Sequence, residues 1–366
     1  MRDVDAVLGT PWHELPSADA VVAAAMEWHF DPATGSRFWV ERAASLPFDP
    51  RKDITTLADL DRFPDVSAEW RDVPVEDLMP AGLRGLGRQP SVWESGGTTG
   101  APKRIVDLGQ WERNTRWWSE VLDEHGFPSG DGNLLFLGPT GPHVVADALR
   151  GLARLRDAVF FPVDLDPRWV RRCLQDGQSD IARHYVDHIL DQAEWVLTSQ
   201  HISLLYATPP LLEAIAERPR LAGLVRDKVR GILWGSTSID PETLRLLSSE
   251  VFPEAAFSGL YGNTMMGAAP QRPAVPDDTE PCVFQSFHPY VHLSLLDPGD
   301  LSREVAYGER GRVCMRQLSP EVLLPRVLER DTAVRVAPVP GFAGDGVADI
   351  QPFTDGGGTK IVEGVY

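Results

Sequence analysis

The chain has 366 residues, 43% of them hydrophobic and 24% charged, with a formal net charge of -18 at pH 7. That is enough apolar material for a sizeable core and, by length, about two or three domains or subdomains. The acidity excludes a general nucleic-acid binder, which needs a basic face to meet phosphates, but leaves room for a local nucleotide site.

Residues 1–90 read as mostly helical with proline breaks: Ser17 can cap a helix through Val21, Val22, Met26 and Trp28, and Leu57, Leu60 and Phe63 mark a second apolar face. A short strand at Ser91–Trp93 leads into a loop rich in glycine and threonine, and a helix follows over 110–126. Strand and helix signals then alternate. Strands are predicted at Asn133–Gly138, Asp157–Val163, Ser203–Ala207, Val229–Trp234 and Ala255–Tyr261. Helices are predicted at His143–Leu155, Ile181–Leu197, Pro210–Glu217 and Pro241–Glu250. Such alternation predicts a parallel, doubly wound α/β sheet. After about residue 280 the texture turns to strands broken by Pro and Gly, which predicts an α/β core over 1–280 and a smaller β-rich subdomain over 281–366.

Cys173, Cys282 and Cys314 lie far apart and form neither a disulfide framework nor a structural zinc pattern, so a reducing cytoplasm is expected. Residues 1–14 carry acidic side chains and no long apolar run, and no stretch of roughly 20 apolar residues occurs anywhere. Neither a secretory leader nor a membrane partner is expected.

The richest segment is Ser95-Gly96-Gly97-Thr98-Thr99-Gly100-Ala101-Pro102-Lys103. Glycines let successive backbone N–H groups turn toward one anion. Ser95, Thr98 and Thr99 add hydroxyl donors and Lys103 adds a cation. The bland reading is a surface turn. The density of donors favours a polyphosphate cradle, although the Lys lacks the flanking residues of a Walker loop.

This run resembles the phosphate-binding signature of the adenylate-forming superfamily of acyl-CoA synthetases, adenylation domains and luciferases. Further motifs follow in that family's order. Gly235-Ser236-Thr237, after a strand ending at Trp234, resembles the turn that borders adenine. Tyr261-Gly262-Asn263-Thr264 resembles the Tyr-Gly-x-Thr motif that packs on the nucleotide, and Gly308–Val313 resembles a Gly-Glu-x-Gly-x-Val stretch. Asp331 falls in the linker where a ribose-binding Asp is expected. His143, Trp234 and Gly259 fall near the acid substrate, and Lys103, Thr99 and His143 are the implied catalytic groups. The resemblance implies an adenylation fold of two sheet-based subdomains plus a smaller β-rich one, with ATP as cosubstrate. It also implies an acid substrate, expected here to be aromatic, and an acceptor amine, thiol or carrier protein.

Two departures stand out. Met265 occupies the place of the family's magnesium-binding Glu, and a thioether is a poor ligand for a hard cation. Residues 355–366 resemble the hinge that introduces a C-terminal lid domain, so the lid and its Lys are expected to be absent from this chain. The short form is similar to the atypical adenylating proteins of phenazine antibiotic biosynthesis, and the motif style to phenylacetate-CoA ligase. A protein that kept only nucleotide or aryl-acid binding is the alternative. His184 and His188 share a helix face but suit a solvated helix better than a metal site. His288 and His292 read as strand residues, Cys173 as an inert thiol, and Asp277-Asp278 as loop solvation.

Overall fold

A computed structural model describes residues 7–9, 14–87, 89–96, 101–276 and 278–353. The chain forms two compact units. The first holds the residues up to Asn114 together with Asn263–Ala268 and Gln285–Phe353; the second holds Thr115–Gly262 and Ala269–Phe284.

The second unit is built on a six-stranded sheet. In chain order its strands are β3 (Asn133–Gly138), β4 (Phe160–Asp164), β5 (Ile202–Ala207), β6 (Gly231–Gly235), β7 (Ala256–Asn263) and β8 (Gly267–Pro270). They lie in the order β4-β3-β5-β6-β7-β8, and β4 through β7 pair in parallel. β5 and β6 are buried along their whole length, as expected when both faces of a parallel sheet are covered. The register sets Phe136, Tyr206, Leu233 and Ser258 side by side in one row. Ala207, Trp234 and Gly259 form the next row, facing the other way. Phe136 stacks on Tyr206 with centroids 5.1 Å apart. Between the strands run the helices Val144–Leu155, Pro167–Gln175, Ser179–Ser199, Pro209–Ala216 and Pro219–Lys228.

The first unit holds a mostly antiparallel six-stranded sheet. The sheet's strands are β9 (Val283–Gln285), of which only Gln285 falls in this unit, β10 (Val291–Asp297), β11 (Asp300–Glu304), β12 (Arg310–Leu318), β13 (Leu323–Val336) and β14 (Gly346–Pro352), ordered β11-β10-β12-β13-β14-β9. The amino-terminal helices bind the turn between β12 and β13. Trp28 Nε1 donates to the Pro320 carbonyl at 2.9 Å, and Trp39 Nε1 donates to that of Leu323 at 3.1 Å. His29 Nε2 meets the Ser319 carbonyl at 2.7 Å, and burial lowers this imidazole to about 4. Ser17 accepts from Ala20 N–H and so caps the helix Ala18–Phe30 as expected. A hairpin of β1 (Ser91–Glu94) and β2 (Arg104–Asp107) completes the unit.

The parallel, doubly wound α/β sheet expected from the alternating pattern is observed, and so is the β-rich part. Several local readings are corrected. β4 starts three residues later than expected, because Asp157 adopts the left-handed conformation (φ 53) in a turn after the preceding helix. Asp331 is not in a linker; it sits inside the 14-residue strand β13 and pairs with Pro352. Asp278 is not a solvated loop carboxylate. It meets Arg272 at 2.5 Å with side chains 9% and 1% exposed, and that guanidinium holds its carboxyl below the usual range.

Candidate functional site

In the first unit the glycine-threonine segment lies in sequence between β1 and β2. Gly97, Thr98, Thr99 and Gly100 lie outside the described residues, as do residues 355–366 with the expected hinge. The described ends of the loop are tied to each other. Ser95 N–H donates to the Lys103 carbonyl at 2.9 Å, and Lys103 N–H donates back to Ser95 Oγ at 2.9 Å. The half-buried Lys103 ammonium donates to Ser67 Oγ at 2.7 Å. Burial pulls this ammonium below its ordinary range, while Glu329 and Asp65 pull it back up. A lysine so held is a fixed charge rather than a swinging surface cation.

The turn after β7 approaches the same hairpin. Thr264 Oγ1 donates to the Glu94 carbonyl at 3.2 Å. Asn263 Oδ1 accepts from the N–H groups of both Met265 and Met266 at 2.9 Å, and Asn263 Nδ2 donates to Glu329 Oε1 at 3.0 Å. Met265 is buried at 5% exposure among the core residues. Asp65 anchors β13 alongside, accepting from Ser67 N–H at 2.9 Å and from Leu328 N–H at 3.0 Å. Glu329 retains some surface, yet protein surrounds its carboxyl closely enough for burial to push it up to about 7. Asp331 raises it further, and Lys103 and the Asn263 bond oppose the rise. Lys103, Asn263, Thr264, Glu329 and Asp331 thus come together in one unit. Sequence reasoning had selected four of these and missed Glu329, Asp65 and Ser67.

In the second unit the carboxyl ends of the parallel strands carry the remaining candidates, the place where doubly wound sheets hold ligands. β3 runs out through Thr140, whose N–H and hydroxyl donate to Asp164 at 2.8 and 2.6 Å, toward His143 at the start of the helix Val144–Leu155. β6 ends at Gly235, and Ser236 and Thr237 follow it in a bend. Ser236 sits at φ 69, a left-handed conformation that costs a non-glycine residue roughly 1–2 kcal/mol. Tyr206 braces it, with hydroxyl oxygens 2.8 Å apart; burial pushes the Tyr206 phenol up to about 12, so it stays protonated. Gly235 admits no side chain there, since a Cβ would lie 2.6 Å from the Leu260 carbonyl oxygen.

Trp234 lies across Gly259, where a Cβ would come within 2.6 Å of the indole. Its ring meets Phe284 edge-on at 6.1 Å, and Phe284 in turn meets Tyr261 at 6.1 Å. Trp234 is 4% exposed, and its Nε1, like Thr237 Oγ1, finds no acceptor or donor within the described protein. Tyr206 was absent from the sequence reading; an apolar strand run gives no sign that one phenol braces a turn 30 residues away.

Among the described residues no group of three or more His, Cys, Asp or Glu side chains could hold a metal ion. All three cysteines are free and buried, and burial pushes the Cys282 thiol up to about 12, far from a reactive thiolate. No described helix is long and apolar enough to cross a membrane.

No family model matches the chain, and no curated protein matches it in sequence. Solved structures do match in fold. The open conformation of 2-hydroxyisobutyryl-CoA ligase, in complex with 2-HIB-AMP and CoA, aligns with a TM-score of 0.67 at 14% identity, over 92% of this chain and 69% of that one. The same ligase in its postadenylation state, in complex with R3-HIB-AMP, aligns at 0.65 and 13% identity, over 93% and 68%. In the thioesterification state the figures are 0.65 and 14%, over 90% of this chain and 65% of the ligase. The chain therefore spans about two thirds of the length of these ligase chains, and at such identity the likeness establishes the fold.

Proposed function

We propose that the protein activates a carboxylic acid with ATP, as the adenylate-forming enzymes do. The acid's carboxylate oxygen attacks the α-phosphorus, the bond from that phosphorus to the pyrophosphate oxygen breaks, and acyl-AMP and pyrophosphate result. The observation that carries this reading is Lys103. Its ammonium is half-buried and tied to Ser67 at the mouth of a loop whose ends bond each other. A charge fixed in advance stabilises developing negative charge without reorganising, which is how electrostatic catalysis gains its strength.

In this reading Ser95, Gly96, Gly97, Thr98, Thr99, Gly100 and Lys103 take the phosphates. Asp331 takes the ribose hydroxyls. Gly235, Ser236 and Thr237, with Tyr261, Gly262, Asn263 and Thr264, border the nucleotide. His143, Trp234 and Gly259 serve the acid. The Trp234–Phe284–Tyr261 ring cluster supports an aromatic acid. A phenazine-type antibiotic pathway, a cytoplasmic location and an amine, thiol or carrier-protein acceptor belong to the same proposal. The ligase of like fold is seen with CoA, which favours the thiol.

One observation favours a second reading. Met265 is buried in the apolar interior at the position where the family's carboxylate would meet magnesium. A chain lacking that ligand fits a nucleotide or aryl-acid binder without turnover. Incubation with ATP, an acid panel and hydroxylamine separates the two. An acid-dependent hydroxamate supports activation; ATP binding without hydroxamate for any aryl or short aliphatic acid leaves the binder.

A further inference from the structure

Glu329 is a carboxylate that the reading above does not use, and the strand that carries it is deformed at that point. Between the pairs Arg312–Thr332 and Cys314–Leu328, β12 contributes one residue, Val313, and β13 contributes three, Glu329, Arg330 and Asp331. Extra residues in one strand bend it and re-aim its side chains. The backbone around this bulge is held by neighbours. Leu328 N–H donates to Asp65 Oδ2 at 3.0 Å, and Arg312 Nε donates to the Glu329 carbonyl at 2.9 Å. Phe353 N–H donates to the Arg330 carbonyl at 2.6 Å, and Asp331 pairs with Pro352.

The 263–268 segment of the same unit is fixed as firmly. Asn263 Oδ1 is committed to the N–H groups of Met265 and Met266, so its carboxamide cannot flip. Thr264 is tied to the Glu94 carbonyl. At the far end Asn114 stands in for a strand partner: its Oδ1 accepts from Ala268 N–H at 2.8 Å, and its Nδ2 donates to the Ala268 carbonyl at 3.1 Å. Gly267, at φ 98, makes the bend that this pairing needs. The bond from Asn263 Nδ2 to Glu329 Oε1, at 3.0 Å, joins the two fixed pieces. Thr264 is the residue after Asn263, and Asp331 lies two residues beyond Glu329 in the bulge.

We propose that Glu329 is a positioning residue for nucleotide binding: its reach to Asn263 sets the spacing between the 263–266 turn and Asp331, and so the fit of a ribonucleoside monophosphate. Two rigid pieces joined by a bond of fixed length hold that spacing before the ligand arrives, and an error of about 1 Å in such a frame is costly. The property at work is length rather than charge, since a carboxamide oxygen at the same place accepts the same bond. The proposal rests on the reading of Asp331 and Asn263–Thr264 as bordering the nucleotide; the Ser95–Lys103 loop plays no part in it.

The test is calorimetry with AMP on the wild type, Glu329→Gln and Glu329→Asp, beside ligand-free melting of each. Glu329→Gln keeps the reach and drops the charge; Glu329→Asp keeps the charge and draws the acceptor back by one carbon–carbon bond, roughly 1.5 Å. Glu329→Gln should bind AMP within about 3-fold of the wild type, and folded Glu329→Asp should bind about 10-fold or more weakly. The reverse pattern makes Glu329 an electrostatic group and overturns the proposal. A merely structural tie would lower the melting temperature of Glu329→Asp and leave its AMP affinity at the wild-type value, which also overturns it. Wild-type protein that fails to bind AMP overturns the nucleotide reading itself, and the proposal with it.

Discussion

Lys103 places one positive charge at the mouth of the loop, and its bond to Ser67 means the charge is already in position before a ligand arrives. Removing it as Lys103→Ala deletes a charge-assisted contact worth roughly 1.5–3 kcal/mol. ATP affinity should therefore fall about 10- to 100-fold by calorimetry, and unchanged affinity would remove the loop from the phosphate site. Asp331 makes a sharper test because two readings of it diverge. The other reading is a surface Asp paired with Arg330 or Arg335, worth at most about 1 kcal/mol to stability. If Asp331 accepts from the two ribose hydroxyls, Asp331→Asn should weaken ATP and AMP alike while ligand-free melting stays nearly constant. Equal AMP affinity in the two folded proteins would take Asp331 out of the site. Residues of this kind are legible when they form a dense local motif, as Ser95 to Lys103 do. Glu329 was not, because its burial arises from a turn 66 residues away in sequence.

At the level of elements, legibility followed burial. β3 was read at its observed bounds, since a strand covered on both faces shows as an unbroken apolar run. The helices Pro167–Gln175 and Pro219–Lys228 were not read at all; both are rich in arginine and bury only three residues each, so the apolar stripe is thin. β2 was missed because four residues after a Pro-Lys give no period to count. The packing of β6 on β7 yields its own prediction. A methyl group at Gly259 would lie 2.6 Å from Trp234 and 2.9 Å from Phe284. Gly259→Ala should cost about 1–3 kcal/mol by overpacking, measured as a lower midpoint in urea with the slope unchanged. A change under about 0.5 kcal/mol would mean that the indole moves aside, and that Gly259 does not fix its place.

For the whole molecule, motif order gave more than composition did. Length and acidity excluded classes, and alternating strand and helix signals gave the doubly wound sheet, but only the order of the motifs at 95–103, 235–237 and 261–264 pointed to an adenylation fold. The antiparallel sheet was read only as a β-rich texture, because its strands are paired across turns whose registers shift at bulges within β12 and β13. The central claim, that this chain joins a carboxylic acid to AMP, is tested most directly by acid-dependent exchange of labelled pyrophosphate into ATP. The account predicts exchange with at least one aryl acid, none without acid, and a loss of about 10-fold or more in Lys103→Ala. Exchange absent across aryl and aliphatic acids, in a protein shown to bind ATP, would contradict it.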